Sequence, residues 1–160
     1  QAKGFYEEIL VIDPNLEEVK ESLNRVESRI LLDAEMTSII ARSDAYNDNK
    51  VLGQAQALLG TAKSIERIGP KLEQSIQKLD SLIRIALIPI DVIFESDQLT
   101  EVTIFKVDQM GTFQQKIVSL RPGIYTARGS RKGFKDETIR FRVDPNKQNQ
   151  RVRIICNKKI

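Results

Sequence analysis

The run Leu120-Arg121-Pro122-Gly123-Ile124-Tyr125-Thr126, followed by Gly129-Ser130-Arg131-Lys132-Gly133-Phe134, decides the reading of the fold. A Pro-Gly turn feeds one strand, and a second glycine-bounded turn feeds an aromatic residue that opens another. Outward from this stretch the apolar period stays at two. Ile139, Phe141 and Val143 alternate with Arg140 and Arg142, as in a half-buried antiparallel strand, and Ile90, Val92 and Phe94 alternate with Asp91 and Glu95. Strands are expected near 90–95, 101–107, 113–119, 123–129, 134–143 and 150–156. Turns are expected at Asp97-Gln98, Gln109-Met110-Gly111, Arg121-Pro122-Gly123, Ser130-Arg131-Lys132-Gly133 and Asp144-Pro145-Asn146-Lys147. Short strands with regularly spaced turns predict a small β-sandwich.

Before Pro89 the period is helical. Tyr6 to Ile12 closes a short helix, and Asp13-Pro14 restarts the chain, with Asp13 as the expected cap and Pro14 in the first turn. Leu16, Val19, Leu23, Val26 and Ile30 then recur in steps of three and four, predicting an amphipathic helix that ends near Ser43 and is long enough to extend into a coiled coil with a partner. After the polar loop Asp44 to Asn49, capped by Asp48, a second stripe joins Val51, Leu52, Ala55, Leu58, Leu59 and Ala62. Beyond Gly69-Pro70 a third joins Leu72, Ile76, Leu79, Leu82, Ile83 and Ala86. Short connections make these helices antiparallel neighbours. The expected class is therefore α+β: a helical hairpin or bundle over 1–88 and an all-β sandwich over 89–160, joined at 87–90 without a flexible linker.

Composition narrows the chemistry. The 160 residues are 41 % hydrophobic, which suits a folded chain, and contain no histidine and a single cysteine, Cys156. Without histidine, Ser-His-Asp and Cys-His arrangements are excluded, and a structural zinc site lacks ligands. The acidic pairs Glu7/Glu8, Glu17/Glu18 and Asp136/Glu137 fall on helix faces or a strand entry, where solvation accounts for them. Asp44 to Asn49 fails as a calcium loop, having Tyr46 third, Asn49 sixth and Ala55 twelfth. Gly129 to Gly133 lacks the spacing of a phosphate loop and reads as a hairpin turn. Cys156 shares a strand face with Val152 and Ile154 and reads as a small buried hydrophobe. No catalytic residue, metal or cofactor is expected. The most apolar window, Leu82 to Phe94, is broken by Arg84, Pro89 and Asp91, so any anchor is expected upstream of Gln1.

Two resemblances follow from these motifs. Leu120, Pro122, Gly123 and Tyr125, then Gly133-Phe134 and Val143, resemble a PEGA-type domain over about residues 90–156, although Ser96 to Glu101 replaces its usual opening hairpin. That resemblance implies a non-catalytic module, often found beyond a transmembrane segment on the outer side of a bacterial membrane. Phe5-Tyr6-Glu7-Glu8-Ile9-Leu10, then Ile12-Asp13-Pro14-Asn15, are similar to the end of a tetratricopeptide repeat, with no second copy in residues 16–87. Such surfaces bind proteins or peptides.

Charge is uneven: residues 1–87 carry 11 Lys and Arg against 14 Asp and Glu, whereas residues 88–160 carry 14 against 8. Arg121, Arg128, Arg131, Lys132, Lys135, Arg140, Arg142, Arg151 and Arg153 form the cluster of interest. Arg140 and Arg142 share one strand face and Arg151 and Arg153 another, so pairing of those strands would set four guanidinium groups on one sheet surface. Tyr125 and Phe134 could stack on bases, but the PEGA resemblance makes them core and turn residues, which argues against nucleic acid. The expected role is a non-enzymatic scaffold docking protein partners in the cell envelope. Phe5, Tyr6 and Leu10 would be apolar anchors, and Arg131, Lys132, Arg140, Arg142, Arg151 and Arg153 would steer an acidic partner. Its expected setting is periplasmic or otherwise extracytoplasmic in a membrane-anchored protein, the alternative being the cytoplasm. The rivals are binding of an anionic cell-wall polymer and a sensory domain of a membrane-anchored signalling protein.

Overall fold

The computed structural model describes residues 2–65 and 69–160. Helices α1 (Ala2–Ile12), α2 (Glu17–Ala41), α3 (Asn49–Lys63) and α4 (Pro70–Ala86) precede seven strands. These are β1 (Ile90–Glu95), β2 (Glu101–Ile104), β3 (Asp108–Gly111), β4 (Gln115–Leu120), β5 (Gly123–Ser130), β6 (Glu137–Val143) and β7 (Gln150–Arg153). The chain is α+β, a helical half followed by an all-β half.

The helix ends follow local chemistry. Pro70 opens α4 where no amide hydrogen is needed, and Asp48 caps α3 by accepting the Lys50 amide at 2.9 Å. Asp13 and Pro14 do not start α2. The Asp13 carboxylate accepts the Asn15 amide at 3.0 Å and closes a turn instead, and the helix begins only after Leu16, with Glu17 and Glu18 favourably placed in its first turn.

The helical core draws Leu32, Met36 and Ile39 from the second half of α2, with Leu52, Ala55, Leu59 and Ala62 of α3 and Leu72, Ile76, Leu79, Ile83 and Ala86 of α4. Tyr46, from the loop after α2, is sealed into the same core and donates its hydroxyl to the Ile39 carbonyl at 2.9 Å. The first half of α2 contributes nothing buried; it runs beside α1, where Lys3 reaches Glu27 at 2.8 Å.

The strands form two sheets, β4-β1-β7 and β3-β2-β5-β6. Their facing residues, including Val92, Phe94, Val102, Ile104, Leu120, Ala127, Val143 and Ile154, form a second core. Phe141 stacks on Tyr125 and meets the edge of Phe94. Two expectations need correction. Gln109-Met110-Gly111 is not a turn but lies in β3, with Met110 buried; the chain reverses earlier, at Phe105 to Val107, where Lys106 takes a left-handed φ of 62°. In addition, β7 pairs parallel with β1 and not with β6.

The two cores meet where the loop after α2 lies on the start of β5. Asn47 donates its side-chain amide to the Ile124 carbonyl at 2.9 Å, and Arg121 donates to the Asn49 side chain at 2.8 Å. Lys106 pairs with Asp48 at 3.3 Å, and Arg142 pairs with Asp44. Gly123 is what permits this approach. Its φ is 150°, and a Cβ there would stand 2.7 Å from Asn47 Cγ. Gly123→Ala should therefore destabilise the protein by about 1–3 kcal/mol, read from the urea midpoint. The cost should shrink in an Asn47→Gly background, where the obstructing side chain is gone; equal costs in both backgrounds would contradict the steric account.

Candidate functional site

The sandwich splits the predicted cationic cluster. Arg140 and Arg142 project from the outer face of the four-stranded sheet, opposite Thr126 and Ile124 of β5. Arg151 and Arg153 project from the outer face of the other sheet, because β7 joins β1. A single four-guanidinium surface does not form. The parallel β1–β7 pairing responsible is a long-range choice that strand alternation cannot reveal.

Four of the nine cations are also neutralised within the chain. Arg128 pairs with Asp136, Arg142 with Asp44, Arg151 with Glu95 at 2.7 Å, and Arg131 with Asp97 at 3.2 Å. Arg131 further lies 4.2 Å over the Phe134 ring, so it clasps the segment that the sequence reads as a hairpin turn. Burial works against the Asp97 charge, but the Leu99 and Thr100 amides it accepts prevail and hold its pKa down. Lys132 and Arg153 are exposed. The basic residues of the second half thus combine local ion pairs with cations set on two separate sheets, rather than forming one basic plate.

Two surfaces stand out among the described residues. One is a groove of about 860 Å³ between the loop after α2, the Phe105–Val107 turn and the start of β5. Arg42 and Arg140 line it, both exposed and without an ion-pair partner among the described residues. Phe105 and Val107 stand in its wall at 48 % and 45 % exposure. Arg42 ends α2, and the sequence reading missed it because its neighbours looked like a plain polar connection. The only local hint was the glycine of the Pro-Gly turn, which proves to be a seat for Asn47.

The other surface is the hairpin of α1 and α2. No residue of α1 is buried; Phe5 is 63 % exposed, with Val11 and Ile12 more exposed still. Phe5 and Tyr6 lie ring edge to ring face at 6.4 Å. Tyr6 opens onto a groove of about 1220 Å³ with Val26, Ile30 and Leu31 of α2, and Leu10 is half-buried. The structure keeps Phe5, Tyr6 and Leu10 on one short helix, far in sequence from the arginines.

Among the described residues no three His, Cys, Asp or Glu side chains gather as a metal site would require, and no helix is long and apolar enough to cross a membrane. Cys156 is buried, its amide donating to Thr100 Oγ1 at 3.1 Å. A scan against protein-family models and a search of curated proteins found nothing that matches this chain.

The junction carries a definite pH dependence. The Lys50 amide, then Lys106, hold the Asp48 carboxyl below its ordinary value near 3.8. Asp80 beside Lys63 and Asp136 beside Arg128 shift the same way. A carboxyl lowered on folding adds stability that is complete above its unfolded value and is lost as pH falls through the folded one. Stability should therefore hold down to about pH 4 and fall below it. Asp48→Asn, which keeps a capping oxygen but no charge, should flatten that fall in urea titrations. A variant with the same acid limb as the parent would remove Asp48 from the account.

Proposed function

We propose that this chain is a non-enzymatic protein-interaction module that docks partner proteins in a complex of the bacterial cell envelope, as part of a membrane-anchored protein. The observation that carries the reading is α1, a helix with a row of apolar side chains and none of them buried. An 11-residue helix is marginal in water by itself, and Phe5, Val11 and Ile12 in solvent are costly unless a partner covers them. The extracytoplasmic setting is supported by the PEGA-like Pro-Gly-x-Tyr and Gly-Phe motifs at Pro122 to Tyr125 and Gly133-Phe134, and the docking role by the repeat-like motif of α1. The wall-polymer alternative is less well supported, because Arg140 and Arg142 lie on a different sheet from Arg151 and Arg153.

Crosslinking the tagged protein in its native cells, with mass spectrometry of what co-purifies, tests this. Envelope proteins should be recovered in stoichiometric amounts with crosslinks on the α1–α2 hairpin. Phe5→Ser with Val11→Ser should lose them while shifting the urea midpoint little, since exposed substitutions cost within about 0.5 kcal/mol. Recovery of the protein alone, or only with wall fragments, would contradict the proposal.

A further inference from the structure

The junction groove has a chemistry of its own. Five charged side chains line it: Arg42, Lys106 and Arg140 against Asp44 and Asp48. The two carboxylates already have cationic partners, Arg142 and Lys106. Among the described residues, charge therefore remains uncompensated at Arg42 and Arg140, one from each half of the chain. The Asn47 side-chain amide donates to the Ile124 carbonyl, and the Asn49 side-chain oxygen accepts from Arg121. A ligand entering this groove finds its unpaired cationic donors on the two guanidinium groups, which favour planar carboxylates through paired hydrogen bonds. Next to them it finds Phe105 and Val107, half-exposed on a tight turn.

This combination selects among anions. A polyanion laid along the groove would pass Asp44 and Asp48, whose charges Arg142 and Lys106 already offset, and its further negative groups would find no unpaired cation there. A short segment with one or two carboxylates beside an apolar side chain matches the two unpaired guanidinium groups and uses both features. About 860 Å³ lies within the range of sites that enclose a compact ligand and holds a few side chains. We propose that the groove binds a short acidic peptide segment of a partner protein, its carboxylates on Arg42 and Arg140 and a neighbouring apolar side chain against Phe105 and Val107. The site deepens the protein-interaction reading but lies on a different surface from α1. Because its walls come from both cores, an occupant bridges them and stabilises the junction.

The test is fluorescence anisotropy of the 160-residue chain with a labelled peptide alternating Glu and Leu, and with the same peptide carrying Gln for Glu. The acidic peptide should bind and the amide peptide should not. Arg42→Ala and Arg140→Ala should each weaken binding about tenfold, as truncating one partner of a charge pair does, and Phe105→Ser should weaken it also. Arg151→Ala, on the other sheet, should leave it unchanged. Equal binding of the two peptides, or indifference to Arg42 and Arg140, would overturn the assignment. So would tighter binding of heparin or poly-glutamate, which would make the groove a polyanion site. If Phe5→Ser abolishes binding, the peptide sits on the α1–α2 hairpin; the groove proposal then falls while the interaction module stands.

Discussion

The arrangement of this protein depends on one close approach, the Asn47 side chain lying against the bare Cα of Gly123 and donating to the next carbonyl. The β2 strand ends at Ile104, and only the Phe105 amide continues its pairing, to Thr126, so the Ile124 carbonyl would lack a partner on that side. An amide from the helical half supplies one. A single hydrogen bond of this kind nets only about 1 kcal/mol, but leaving a half-buried carbonyl unpaired costs more than the bond gains. The surrounding pairs, Arg121 with Asn49, Lys106 with Asp48 and Arg142 with Asp44, are exposed and individually weak. They fix orientation around the central contact, and together they shape the groove in which Arg42 and Arg140 are left without partners.

The same economy of charge explains the outer surfaces. Each sheet face carries arginines at alternate positions, but Asp44, Glu95, Asp97 and Asp136 stand beside four of the guanidinium groups. These pairs, and the placement of Arg140 and Arg153 on separate sheets, scatter the positive charge of this half rather than gathering it into one plate. Exposed apolar side chains also gather on α1 and the adjoining part of α2, at Phe5, Val11, Ile12, Ile30 and Leu31. Recognition is thus divided between an apolar hairpin and a mixed groove.

Much of the fold was legible from local pattern. The β1 alternation gave its limits at Ile90 and Glu95, the Asp48 cap placed the start of α3, and the stripes of α3 and α4 named their buried residues. What escaped were features set by distant partners. The β3 strand has no apolar alternation, only Met110 facing inward, so its sequence resembles the turn that in fact precedes it. The stripe from Leu16 to Ile30 is periodic enough to suggest a core helix, yet α1 rather than the core lies against it. Gly123 was read as the glycine of a turn, and its second duty toward Asn47, 76 positions upstream in the chain, leaves no local trace. The site was legible in kind, through Arg140 and Arg142, but not in composition, because Arg42 and Phe105 join it only through tertiary packing.

The docking of the two cores through Asn47 and Gly123 is the central claim, and NMR in solution tests it directly. The account predicts nuclear Overhauser contacts between the Asn47 side-chain amide and the Gly123 α-protons, with backbone ¹⁵N relaxation giving one rotational correlation time for both halves. Absence of those contacts, together with separate correlation times for the helical and β halves, would contradict it.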